Sequence, residues 1–144
     1  MKKRSCFLIG HRDAPEEIYS LLREEIERHI QLGVQEFIVG HYGAFDRMAA
    51  RALAESKIIY PEIVLTLLLP YHPAECPVTL PKDFDESLYP NGMESVPRRL
   101  AIVRANRYVV DHVDYLIAYA VHPGSNTWNL VEYARKQDIT TTNM

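Results

Sequence analysis

Cysteine is scarce in this chain: Cys6 and Cys76 are the only two among 144 residues, and no CxxC spacing joins them. That excludes a disulfide framework and a zinc finger, and it fits a reducing cytoplasm. No stretch approaches the roughly 20 apolar residues needed to cross a bilayer, so no membrane partner is expected. The basic start, Met1-Lys2-Lys3-Arg4, precedes an apolar run too short for a secretion signal, which again predicts a cytoplasmic protein. A basic surplus is also lacking. The net charge of −3 argues against a duplex nucleic acid partner, whose binding rests on neutralising phosphates with a basic face. Neither GxGxxG nor GxxxxGK[ST] occurs, so an ordinary dinucleotide or P-loop site is excluded. Internal repeats and low-complexity tracts are absent as well.

What is present is the composition of an average globular protein, 47% hydrophobic and 24% charged, at a length that suits one domain over residues 1–144. A short apolar run at 5–9 ends in Gly10, and Asp13-Ala14-Pro15-Glu16 then reads as a capping box with proline in the first turn. The following helix carries Ile18, Leu21, Leu22, Ile26 and Ile30 at three- and four-residue steps and stops at Gly33. The pattern repeats with a strand at 36–39, a glycine turn at 40–43 and an alanine-rich helix at 46–57. Residues 63–69 form a continuous apolar run, as in a parallel strand covered on both faces.

Residues 70–97 hold six prolines and several acids and read as an irregular loop, either a ligand wall or locally disordered. A helix at 96–112, a strand at 115–119, a turn at 122–127, a helix at 128–136 and a strand at 139–142 complete the chain. The alternation predicts an α/β fold: a Rossmann-like, doubly wound, mostly parallel five-stranded sheet with helices on both faces.

In such a sheet the ligand crevice lies beyond the carboxyl ends of the strands, where strand order reverses. The residues that follow strands are therefore the candidates: Gly10, His11 and Arg12; Gly40, His41 and Gly43; Tyr71 and His72; and His122 to Gly124, Ser125, Asn126 and Thr127. Glycine turns that feed helix N-termini suit a phosphate, and Arg12 supplies a fork of donors for its oxygens. Ser125 has no GxSxG elbow and no base, so it reads as a phosphate contact and not as a nucleophile. The four histidines His11, His41, His72 and His122 gather at one sheet edge without metal-ligand spacing, so neither a metal nor a cofactor is expected. Tyr42, Tyr71 and Trp128 could stack on a base but more often pack. Arg107 and Asp111, four apart on a helix, read as a surface ion pair.

These motifs resemble a known group. Ile9-Gly10-His11-Arg12, then Gly40-His41-Tyr42-Gly43-Ala44-Phe45-Asp46 with Ala49 and Ala50, then Gly124-Ser125-Asn126-Thr127 with Tyr133-Ala134, look like the SLOG superfamily. That Rossmannoid group includes DNA-processing protein A and the Lonely-guy phosphoribohydrolases, and the likeness is to its small YpsA-like branch. It implies binding of nucleotides or nucleotide-derived molecules, with the glycine turn, Asp46 and the 124–127 turn as contacts, and it points to Arg104 and Asn106 on the preceding helix. Hydrolytic members carry a PGGxGTxxE segment; here Leu130 occupies the glutamate position and Glu132 comes two residues later.

The leading expectation is thus a protein that binds or senses a nucleotide-like small molecule, with no catalytic residue assigned. The enzyme alternative is a phosphoribohydrolase using Glu132, Asp85 or Glu86; a third is an interaction module with a vestigial pocket. A homodimer is the default assembly expected of a small Rossmann-like domain.

Overall fold

The structure is a computed structural model and describes residues 3–144. Six strands, β1 (Ser5–Gly10), β2 (Glu36–Val39), β3 (Val64–Leu68), β4 (Glu86–Leu88), β5 (Tyr115–Tyr119) and β6 (Thr140–Asn143), form one sheet in the order β4-β3-β2-β1-β5-β6. Every neighbouring pair is parallel. The helices α1 (Tyr19–Gln31) and α2 (Ala44–Ile59) pack on one face, and α3 (Ala101–Val110) and α4 (Asn126–Arg135) on the other.

Each face has its own core, because successive residues of a strand point to opposite sides. Cys6, Leu8, Phe37, Val39 and Leu65 meet Leu22, Ile26, Phe45, Ala49, Ala52 and Leu53 of α1 and α2. Phe7, Ile9, Leu116 and Ala118 meet Ala101, Ala105, Val109, Val131 and Ala134 of α3 and α4. Burial raises the Cys6 thiol well above its ordinary value, consistent with an inert core position.

The predicted α/β architecture is the observed one, with one strand more than expected. β4 lies inside the proline-rich segment and is three residues long. It pairs with β3 through Thr66–Glu86 and Leu68–Leu88, while Leu69 N donates to Leu88 O. Pro81 and Pro90 flank it, and an edge position tolerates such neighbours because only one side of the strand needs donors. So short and polar a strand carries no hydrophobic alternation to find.

Two local expectations are corrected. The Asp13–Glu16 capping box does not form: Pro15 is extended, a 3-10 turn spans Glu16–Ile18 without any side-chain cap, and the α-helix starts only at Tyr19. Arg107 and Asp111 do not pair, because both grip Tyr133: the guanidinium lies 4.1 Å from the ring centroid and Asp111 Oδ1 accepts from the hydroxyl at 2.6 Å. A sequence pattern confined to one helix cannot anticipate a partner on α4. No described helix is long and apolar enough to cross a membrane.

Candidate functional site

Strand order reverses at β1, with β2 on one side and β5 on the other. A crevice therefore opens beyond the carboxyl ends of these two strands, the place this topology reserves for ligands. It encloses about 210 Å3. Gly10, His11 and Arg12 of the first turn, Gly40, Tyr42 and Asp46 of the second, Asn106 of α3, and Asn126 and Thr127 of α4 all line it. Phe7, Ile9, Leu68, Pro70, Ile102 and Val103 add an apolar lining.

His11 holds the two walls together. Its Nε2 accepts from Val121 N at 2.9 Å and His122 N at 3.3 Å, so the turn after β1 is tied to the turn after β5. An imidazole that accepts twice at one nitrogen must be neutral and carry its proton on Nδ1. Burial, with the nearby His122 ring adding to it, lowers its pKa below the ordinary 6.5, in keeping with that role. The His122 ring sits 4.4 Å from it, centroid to centroid.

The glycines serve packing more directly than they serve an anion. A Cβ on Gly10 would lie 2.3 Å from Phe45 Cγ, so the first glycine makes room for an aromatic ring at the start of α2. A Cβ on Gly43 would lie 2.6 Å from the Arg12 Cα, and the residue has φ +102°, which favours glycine twice over. Ala44 N then donates to Arg12 O at 2.8 Å and locks the two turns together.

Asp46 occupies the N-terminal turn of α2 itself. Its Oδ2 accepts from Tyr42 N at 2.9 Å and would lie 3.0 Å from a Cβ on Gly40. The carboxyl is 9% exposed, and burial pushes its pKa up to about 7 against the opposing pull of the Tyr42 amide, Arg12 and Arg47. This helix end is thus already served by an internal acid.

The N-terminus of α4 is arranged differently. Ser125 is its cap, accepting from Trp128 N at 3.1 Å and donating to His122 O at 2.8 Å, so its hydroxyl is committed to the fold. Asn126 and Thr127 follow as the first two helical residues, whose amides an α-helix leaves without intrahelical partners. Both residues line the crevice. Arg12, exposed, lies beside it with its guanidinium 5.9 Å from the centroid of the Tyr42 ring.

Eight of the residues singled out by sequence, Gly10, His11, Arg12, Gly40, Asp46, Asn106, Asn126 and Thr127, thus converge on one cavity. His41, Gly43, Gly124 and Ser125 shape the turns behind it; Gly124 has φ +82° with open space around it. Arg104 points elsewhere, into a depression shared with Arg107 and Asp111. Glu132 is exposed and accepts from Trp128 Nε1 at 2.5 Å. Asp85 caps Leu65 N at 2.8 Å and pairs with Lys57, and Glu86 sits by Thr66; both are at the amino end of β4, away from the crevice. Ile102, Val103 and Pro70 are lining residues that the sequence pattern does not single out, since apolar positions on a helix or after a strand look like ordinary packing.

No protein-family model matches the chain, and no curated protein matches its sequence. Solved structures do match. DNA processing protein A from Streptococcus pneumoniae superposes with a TM-score of 0.68 at 14% identity, covering 96% of this chain and 49% of that one. The Moco carrier protein from Chlamydomonas reinhardtii gives 0.60 at 17% identity, covering 97% and 75%. DNA processing protein A from Helicobacter pylori gives 0.58 at 15% identity, covering 92% and 61%. The chain therefore spans about half the length of the first of these.

One expectation is overturned by this comparison. Net charge is the ground for setting duplex nucleic acid aside as a partner, yet the H. pylori protein, similar to this chain in fold, has a single-stranded DNA binding mode. Single strands are held by a local groove and by aromatic stacking, neither of which requires a basic molecule overall. Across all three matches, what the chain shares is the fold, a Rossmann-like α/β architecture.

Proposed function

We propose that the crevice binds the phosphate-bearing part of a nucleotide or nucleotide-derived molecule, as the resemblance to the YpsA-like branch also implies. The observation that carries this reading is the convergence of Arg12 with Asn126 and Thr127, the first-turn residues of α4, on one cavity at the switch point. A guanidinium and a helix N-terminus are complementary to the same oxyanion. At about 210 Å3 the cavity is smaller than the roughly 300–1,000 Å3 usual for a complete ligand. It suits a phosphate with part of its sugar and leaves the base outside, on the Tyr42 side.

Binding without hydrolysis is the form of this reading that the side chains favour. Asp46 is the one carboxylate on the described lining, and it is engaged with the Tyr42 amide. Glu132, the hydrolytic candidate, is held by Trp128. Calorimetric titration with inorganic phosphate and adenosine 5′-monophosphate tests the proposal, using the wild type and Arg12→Ala. A charge-assisted hydrogen bond contributes about 1.5–3 kcal/mol, so the substitution should weaken nucleotide binding by roughly 10- to 100-fold. The melting temperature should stay put, since Arg12 is exposed. Undiminished affinity in Arg12→Ala, or no nucleotide binding by the wild type, would overturn the reading.

A further inference from the structure

A second cavity adjoins the crevice, and its lining is of a different kind. It encloses about 250 Å3 between the start of the proline-rich segment and the turn that leads into α3. Pro70 lines both cavities and forms the ridge between them. Tyr42 stands on the crevice side of that ridge and Tyr71 on the far side, their rings edge to face with centroids 6.5 Å apart.

Aromatic planes dominate the far side. The Arg98 guanidinium lies 4.5 Å from the Tyr71 ring centroid, and the His72 and Tyr89 rings meet edge to face at 5.3 Å. Arg98 is tethered weakly: Nη1 is 3.9 Å from Glu75 Oε2 and Nη2 donates to Cys76 Sγ at 3.2 Å, with its side chain 65% exposed. A guanidinium over a tyrosine is a stacking surface that accepts a planar ring upon it or yields its place to one. Glu75 and Glu94 also line the cavity. Two carboxylates against one arginine on the lining disfavour a second phosphate there, whereas carboxylates accept hydrogen bonds from the amino group of a nucleobase.

The geometry points to a base-stacking subsite, built by Tyr71, His72, Tyr89 and Arg98, that takes the neighbouring base of a single-stranded oligonucleotide whose phosphate lies in the crevice. The inference rests on the proposed function for its first anchor and deepens it, since it extends the ligand from one nucleotide to at least two. It also gives the proline-rich segment a role, because an irregular backbone holds Tyr71, His72 and Tyr89 in position without a helix that would fill the space.

Affinities of three probes decide between the outcomes: adenosine 5′-monophosphate, a 5′-phosphorylated adenine dinucleotide, and the same dinucleotide with an abasic second position. Stacking of one base contributes about 1–3 kcal/mol, so the dinucleotide should bind on the order of 10-fold tighter than the mononucleotide. The abasic probe should fall back to the mononucleotide level. Tyr71→Leu and Arg98→Ala should each remove the dinucleotide's advantage and leave mononucleotide affinity and melting temperature unchanged; Arg98 is exposed, so that variant guards against misfolding of the other. A dinucleotide that binds no tighter, or an advantage that survives both substitutions, overturns the subsite while the crevice reading stands. If Arg12→Ala changes nothing but Tyr71→Leu weakens the dinucleotide, the crevice reading fails and the subsite stands. If no probe binds, both fall.

Discussion

Replacing Asp46 by asparagine should stabilise the protein at alkaline pH and not at acid pH. Asp46 is 9% exposed, and burial lifts its carboxyl from 3.8 to about 7. A group whose pKa is raised on folding holds its proton in the native state after the unfolded chain has released it. Its contribution to stability is therefore complete below about pH 4 and is lost as pH climbs towards 7. The gap of roughly three pH units corresponds to about 4 kcal/mol, of which about 3 kcal/mol should disappear between pH 5 and pH 8.

Asparagine keeps the shape and an oxygen to accept from Tyr42 N, now 2.9 Å from Asp46 Oδ2, but it does not titrate. Urea unfolding of both proteins at half-unit steps from pH 5 to pH 8 gives the difference directly. His11, His29 and His41, whose pKa values burial lowers, contribute the opposite slope, but they are common to both proteins and cancel. The wild type should lose about 3 kcal/mol relative to Asp46→Asn over this range. A flat difference, or a wild type that gains on the variant as pH rises, would refute the claim that burial outweighs the Tyr42 amide and the two arginines in raising the Asp46 carboxyl.

Two further outcomes test the scaffold of the crevice. Gly10→Ala places a methyl group 2.3 Å from Phe45 Cγ and should cost about 1–3 kcal/mol by overpacking; adding Phe45→Leu should recover part of that loss in a double-mutant cycle, and independence of the two effects would sink the contact. His11→Ala strands the Val121 and His122 amides and should cost about 1–3 kcal/mol at pH 8. Because the His11 pKa is lowered, its contribution is present above 6.5 and fades as pH falls, so the gap between wild type and variant should narrow below pH 6. A gap that widens there would contradict the neutral acceptor role.

Helix and strand periods, glycine turns and apolar runs along the chain were enough to specify the alternating architecture and to place Gly10, Arg12, Gly40 and Asp46 at the same edge, because in a parallel sheet every residue after a strand ends on one side. They also located the α4 turn, although its helix begins at Asn126 and not two residues later, since Ser125 accepts a cap bond that spacing alone did not reveal. Partners from distant elements were decided by tertiary structure. Phe45 beneath Gly10, His11 bridging to the amides of Val121 and His122, and Arg98 over Tyr71 all join residues far apart in the chain, and Asp46 fills the helix turn where an anion could have sat. Local sequence encodes which backbone states are cheap; which side chain fills a given space is settled only when the sheet order brings separate turns into contact.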